Sequence, residues 1–266
     1  MSLKKILKNK LKESNSPKDF FENIENIREK EELVIMGTGT TLSKYSKEEL
    51  SLFYQDKDVF SIKQAYLKFP EKTDVHFFNC CNLPIDGNFY GYKYTNEDKP
   101  LVIASSPFHL GGGRWSKQQY MDIFFNIPTV NQNHLNNESV EFLCKKGNID
   151  DYLFSKNLSR PCGPGIFFEV AMYYAFHLGY KKIYTIGWDY SYNKDNYGHF
   201  FSPDGKKAKN VRIPALIPQS EIEYVLEFTD NLYDWLEQNG IELNVIGDIS
   251  AVSPKFKRIL KIQEKM

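Results

Sequence analysis

The chain has 266 residues, of which 41% are hydrophobic and 26% charged, so neither a disordered chain nor a small disulfide scaffold fits it. Its 34 basic and 34 acidic residues balance, and no overall charge favours nucleic acid or an anionic surface as partner. The four cysteines have neither Cys-x-x-Cys spacing nor histidines at zinc spacing, which predicts free thiols in a reducing compartment.

Residues 1–31 are predicted to form a helical extension. Leu3, Ile6, Leu7 and Leu11 lie among lysines, the pattern of a basic amphipathic helix. This pattern leaves two interpretations open: a helix packed on the domain, or a peripheral contact with the inner face of a membrane. The sequence has no apolar run of about 18 residues and no signal-peptide segment, so we expect a cytoplasmic protein.

Residues 32–266 are predicted to form one α/β domain. Short apolar runs predict buried strands at 33–36, 59–62, 75–78, 101–104, 183–186 and 243–246. Helical patterns separate several of them, which favours a mostly parallel, doubly wound, Rossmann-like sheet covered on both faces.

Helix starts are predicted from capping boxes, in which a serine and a Glu or Gln three residues later satisfy each other's backbone donors. Three pairs have this spacing: Ser46 with Glu49, Ser116 with Gln119, and Ser220 with Glu223. A basic terminal helix is predicted to begin at Ser253.

The loop after the first strand contains small residues that suit a nucleotide. Gly37, Thr38, Gly39, Thr40 and Thr41 offer backbone N–H groups and hydroxyls that can approach a phosphate or ribose. A leucine stands where the dinucleotide fingerprint has its third glycine, so NAD is not expected. A plain tight turn is the alternative interpretation.

A second glycine-containing segment lies later in the chain. Gly163 and Gly165 precede an apolar helix and a strand, and Gly187-Trp188-Asp189 follows that strand. Gly163 and Gly165 could instead be required only for the backbone geometry at the start of that helix. Ligands of open α/β sheets bind beyond the carboxyl ends of the strands, where both glycine loops are expected. Residues 189–219 lack periodicity and are predicted to form a long lid.

These segments resemble those of bacterial lipooligosaccharide sialyltransferases and of the related motility-accessory-factor and hydroxymethylpterin-diphosphokinase-like proteins. The matching elements are residues 34–42, 58–64, Asn79, 165–184 and 187–192. The resemblance implies a Rossmann-type fold and a metal-independent glycosyltransferase without a cofactor. It implies a CMP-activated acidic sugar such as sialic acid as donor, and a lipooligosaccharide or surface glycan as acceptor.

The resemblance also implies which residues hold the donor. Thr38 stands at the first asparagine of the family's Gly-Asn-Gly loop, Lys63-Gln64 at its Asn-Gln pair, and Asn79 at its third-strand asparagine. Tyr197 or Tyr192 stands for the tyrosines that meet the phosphate. Lys63 replaces an amide with a cation and could pair with an anionic phosphate. The glycines, threonines and Trp188 of the two loops complete the predicted nucleotide site.

The general base departs from the family pattern. Sialyltransferases have a histidine shortly before the long late helix, but residues 213–219 contain none. His199 is the histidine of the late loop and is the candidate base, because an imidazole titrates near pH 6.5 and can accept a hydroxyl proton. A structural or acceptor-binding role is its alternative. Asp189 is a further catalytic candidate, with Tyr197 stabilising the leaving group.

Other features leave further possibilities. Arg114 and Trp115 follow three glycines and are candidates for acceptor binding, or belong to a surface turn. Asp56-Lys57-Asp58 spells a metal-binding motif but precedes its strand, and we interpret it as a solvated turn, with no metal site expected. Two alternative functions remain: a Mg²⁺-dependent diphosphokinase-like enzyme, and a degenerate nucleotide- or glycan-binding module.

Overall fold

A computed structural model describes residues 1–15, 17–79, 99–107, 123–127, 171–189 and 219–262. The helices are α1 (Leu3–Glu13), α2 (Pro17–Asn23), α3 (Lys47–Phe53), α4 (Tyr173–His177) and α5 (Gln219–Gln238), with 3-10 helices at Thr40–Lys44, Lys63–Lys68 and Pro70–Lys72. The strands are β1 (Glu32–Met36), β2 (Lys57–Ile62), β3 (Val75–Asn79), β4 (Leu101–Pro107), β5 (Ile123–Ile127), β6 (Lys182–Ile186), β7 (Glu242–Ile246) and β8 (Lys257–Ile259).

The eight described strands form one parallel sheet in the order β5-β4-β3-β2-β1-β6-β7-β8. The chain builds outward from β1 in one direction as far as β5, then returns and builds outward from β6 in the other direction. The order therefore reverses between β1 and β6, as in doubly wound folds. This topology confirms the predicted Rossmann-like α/β class.

The alternation of side chains along the strands produces two cores. Leu33 and Ile35 of β1 lie in one core, which also contains residues of α1, α2, α4 and α5. Val34 and Met36 lie in the other, with residues of α3 and the adjoining 3-10 helices. Because neighbouring side chains of a strand point to opposite faces, a continuous apolar run is required when both faces are covered.

The N-terminal segment packs on the sheet. Leu3 and Leu7 of α1 are fully buried, as are Phe20 and Ile24, and all four belong to the core that includes Leu33. The apolar face of α1 is thus covered by the domain, as the first of the two interpretations of this helix expects. Among the described residues, no helix combines the length and apolar character needed to cross a membrane.

The capping box at Ser46 and Glu49 is confirmed, with Glu49 N donating to Ser46 Oγ over 3.1 Å. Ser116 lies outside the described residues. The predicted terminal helix is wrong, because residues after Ser253 form a turn and then β8. Two tertiary contacts favour the strand: Phe256 is buried, and the Arg258 guanidinium donates to the carbonyls of three residues between 250 and 253.

The prediction of a solvated turn at Asp56-Lys57-Asp58 is also wrong. Lys57 is 4% exposed and Asp58 is 2% exposed, and both belong to β2. Lys57 pairs with Asp56 and Glu32, while Asp58 accepts a 2.5 Å hydrogen bond from the Tyr180 hydroxyl. These charges lie at the amino edge of the sheet, opposite the carboxyl ends of the strands. These ion pairs and hydrogen bonds offset the free-energy cost of burying the charged groups.

Candidate functional site

Main-chain hydrogen bonds join the loop after β1 to the loop after β6. Gly37 N donates to Ile186 O over 2.7 Å, and Gly39 N donates to Gly187 O over 2.9 Å. The pairing of the two strands thus continues into the loops. The Gly37–Thr41 and Gly187–Asp189 loops therefore meet at the point where the strand order reverses.

The close approach of these loops requires glycine at two positions. A Cβ on Gly39 would lie 2.4 Å from Asp189 Oδ2. Gly187 has φ +71°, and a Cβ there would lie 2.5 Å from the Gly37 carbonyl oxygen. Both distances are too short for a side chain, so packing between the loops explains these glycines without reference to a ligand. The backbone of Gly39 is extended, with φ −65° and ψ 160°, so the contact with the second loop and not a tight turn requires glycine at this position.

Asp189 fixes the first loop through both carboxylate oxygens. Oδ2 accepts from Thr41 N over 2.7 Å, and Oδ1 accepts from Thr41 Oγ1 over 2.8 Å. Burial raises the pKa of Asp189, although the two hydrogen bonds from Thr41 oppose that change. The geometry gives Asp189 a direct role in holding Thr41, and through it the start of the 3-10 helix at Thr40–Lys44.

A third strand contributes to the same edge. Gly247 directly follows β7, and its N–H donates to Ile259 O over 2.9 Å. The next residue, Asp248, forms an exposed 2.9 Å ion pair with Lys44, and this pair holds the pKa of Asp248 below its usual value. Sequence reasoning missed both residues. The available signal was the glycine after the predicted 243–246 strand, which repeats the pattern of Gly37 and Gly187.

The main chain of Trp188 lies at this carboxyl edge of the sheet, and its indole ring is buried in the core. The side chain is 3% exposed, and its ring centroid lies 6.3 Å from that of Phe256. The Trp188 carbonyl accepts a 2.5 Å hydrogen bond from Ser250 Oγ. The indole packs beneath the loop, and contact between this residue and a nucleotide stays a prediction.

The ends of β2 and β3 lie beside the end of β1 at this edge. Lys63 directly follows β2 with φ +50°, and Gln64 is 6% exposed. Asn79 ends β3 and pairs in register with Ser105 of β4. The His76 ring nitrogen Nε2 lies 2.9 Å from the Lys63 carbonyl oxygen.

The structure therefore brings the described part of the predicted site to one edge of the sheet: Gly37, Thr38, Gly39, Thr40, Thr41, Lys63, Gln64, Asn79, Trp188 and Asp189. The rest of the predicted site lies outside the described residues: Arg114, Trp115, Gly163, Gly165, Tyr192, Tyr197 and His199. In the described ranges, no group of three or more His, Cys, Asp or Glu side chains is arranged to hold a metal ion.

No protein-family model matches this sequence, and no curated protein matches it. Two solved structures of the sialyltransferase CstII from Campylobacter jejuni are similar to it. The complex with the substrate analogue CMP-3FNeuAc has 19% identity and a TM-score of 0.44, and a point variant in complex with CMP has 17% identity and a TM-score of 0.45. Each comparison covers 88% of both chains.

Proposed function

We propose that this protein is a metal-independent glycosyltransferase that moves sialic acid or a related acidic sugar from a CMP-activated donor to a glycan. The observation that carries the proposal is the junction of the Gly37–Thr41 and Gly187–Asp189 loops at the reversal point of the sheet. Parallel α/β sheets bind nucleotides at this position. The order of motifs along the chain, which resembles that of the bacterial sialyltransferases, supports CMP as this nucleotide.

In this proposal the donor nucleotide lies across the carboxyl edge. Backbone N–H groups and hydroxyls at Gly37–Thr41 contact ribose or phosphate, and Asp189 keeps that loop in place by holding Thr41. Lys63, Gln64 and Asn79 extend the site along the ends of β2 and β3. Gly163 and Gly165, with the start of the helix after them, face the phosphate.

The transfer step needs a base and stabilisation of the leaving group. His199 takes the proton of the acceptor hydroxyl, whose oxygen forms a bond to the anomeric carbon as the bond from that carbon to the phosphate oxygen breaks. Tyr197 or Tyr192 donates to the departing CMP, where negative charge grows while the sugar becomes oxocarbenium-like. Arg114 and Trp115 contact the acceptor, which we propose to be a lipooligosaccharide or surface glycan.

Both Asp189 oxygens already accept hydrogen bonds from Thr41, which favours a loop-holding role for this carboxylate over a role as a Mg²⁺ ligand. Calorimetric titration with CMP, in EDTA and again with Mg²⁺, tests the choice between transfer and diphosphoryl transfer. We expect CMP to bind equally in both buffers. Binding that requires Mg²⁺ would support the diphosphokinase alternative, and absence of CMP binding would contradict the proposed function.

Turnover separates an enzyme from a degenerate binding module. We expect release of CMP from a CMP-activated sialic acid, and a loss of about 10²–10⁴-fold in kcat for His199→Ala, the usual contribution of a general base. CMP binding by that variant should stay within about twofold of wild type, since the histidine acts on the acceptor. Unchanged turnover in His199→Ala would remove it from the mechanism.

A further inference from the structure

One turn of the candidate site has a backbone conformation that lysine rarely adopts. Lys63 begins the 3-10 helix after β2 with φ +50°, in the left-handed region. A Cβ crowds the following carbonyl there, so residues other than glycine and asparagine are disfavoured. Such residues persist where their surroundings hold them, and they cluster at ligand sites.

His76 holds this turn from the neighbouring strand. Its Nε2 lies 2.9 Å from the Lys63 carbonyl oxygen. Because a carbonyl oxygen only accepts, the ring must donate Nε2–H, which fixes the neutral tautomer with Nδ1 unprotonated or a charged ring. Burial lowers the pKa of His76 to about 3, so the ring is neutral under ordinary conditions.

Stacking against the face of the ring also fixes the position of the His76 imidazole. His76 is fully buried, and its ring stacks on Tyr66 with centroids 4.7 Å apart and planes inclined by 17°. Tyr66 belongs to the same 3-10 helix that Lys63 begins. One buried side chain thus holds the first residue of the helix by a hydrogen bond and its fourth residue by stacking.

We propose that His76 is a positioning residue of the nucleotide site: by holding the Lys63 carbonyl it places Lys63 for the anionic phosphate of the donor. This inference rests on the proposed function. Lys63 follows β2 as Gly37 follows β1, and the two strands are neighbours, so both residues lie on one edge. A lysine ammonium is a compact cation that suits a phosphate.

The test is the binding of CMP and of cytidine, which lacks the phosphate, measured by calorimetry. Lys63→Met should weaken CMP about tenfold and leave cytidine within about twofold, because it removes only the charge. His76→Phe keeps a ring against Tyr66 but loses the donor, and should weaken CMP about fivefold. His76→Gln carries an amide N–H and should restore binding to within about twofold.

The double variant Lys63→Met, His76→Phe decides whether His76 acts through Lys63. Its CMP affinity should equal that of Lys63→Met alone, because the cation that His76 positions is already gone. His177→Phe is the control for losing a histidine, since His177 precedes β6 at the opposite edge and packs on Tyr173. It should bind CMP as the wild type does.

Four results would overturn the inference, three from the binding measurements and one from NMR. If the wild type binds CMP and His76→Phe binds it equally well, the positioning role of His76 is contradicted but the proposed function is not. A fully additive loss in the double variant also contradicts it. Wild type without CMP affinity overturns the proposed function and this inference together. Nitrogen-15 NMR of the histidines adds an independent readout: a neutral Nε2–H tautomer for His76 is expected, and an Nδ1–H tautomer would contradict the proposal.

Discussion

The two edges of the sheet are closed by different kinds of contact. At the amino edge, charged side chains are buried and paired: Asp58 accepts from the Tyr180 hydroxyl and from two backbone N–H groups, and Lys57 lies between Glu32 and Asp56. At the carboxyl edge between β1 and β6, glycine backbone and the Asp189–Thr41 contact join the loops.

This difference indicates that the amino edge contributes mainly to stability and the carboxyl edge mainly to ligand binding. A buried charge network stabilises only when all of its partners are present, so the amino edge has little tolerance for change. Loops of glycine and threonine leave a ligand close access to the main chain. Substitutions at the two edges should therefore have separable effects on unfolding and on nucleotide affinity.

Asp58→Ala should have the largest effect on stability. It leaves the buried Tyr180 hydroxyl and the part-buried N–H groups of Glu29 and Lys30 without their acceptor, which we expect to cost about 4 kcal/mol. Urea unfolding measures it. The exposed Asp248→Ala is the comparison at the carboxyl edge and should cost less than about 1 kcal/mol. Equal losses would remove the distinction between the edges.

Gly187→Ala should lower stability by about 3 kcal/mol and also abolish CMP binding. The new Cβ meets the Gly37 carbonyl and adds left-handed strain, so the two loops must separate. Gly240→Ala is the matched control: Gly240 also has positive φ, at +63°, but a Cβ there meets nothing within 4 Å. It should lose about 1 kcal/mol and bind CMP normally.

Asp74→Asn should stabilise the protein at pH 7 by about 2 kcal/mol. Burial raises the pKa of Asp74 from 3.8 to about 6, so the folded chain binds more protons than the unfolded chain between these values. The contribution of this carboxyl is present below pH 4 and is lost as the pH rises through 6. The Asp74→Asn variant should not lose stability in this pH range. Equal stability of wild type and variant from pH 4 to 8 would contradict the prediction.

Asp189→Asn should lower stability by about 1–2 kcal/mol and reduce CMP affinity about tenfold. An amide offers one acceptor oxygen, while Thr41 presents two donors to the carboxylate. The pair of measurements is informative because a merely structural contact would lower stability without lowering affinity in the folded protein. Calorimetry well below the melting temperature separates the two.

The sequence predicted the sheet well where both cores demand continuous apolar runs. The runs at 33–36 and 183–186 correspond to β1 and β6, and the glycines after them mark the loop junction. Local pattern failed where tertiary partners decide. The β8 strand depends on hydrogen bonds from Arg258 to carbonyls of Ser250–Ser253, across a turn. The burial of Asp58 depends on Tyr180, which lies far from it in the sequence.

The site itself was only partly predictable. Its glycines were recognisable because they directly follow apolar strands. The role of Asp189 as acceptor for Thr41 depends on residues separated by 148 positions, and the hold of His76 on Lys63 depends on the packing of Tyr66. No local periodicity carries such information, since it arises only when strands become neighbours.

Hydrogen exchange with and without CMP, read by mass spectrometry, tests the central claim most directly. CMP should slow exchange in peptides covering Gly37–Thr41 and Gly187–Asp189, because a bound nucleotide contacts or shields the N–H groups of this junction. Peptides at the amino edge around Asp58 and Tyr180 should be unchanged. Protection confined to the amino edge, or binding with no protection at the junction, would contradict the account.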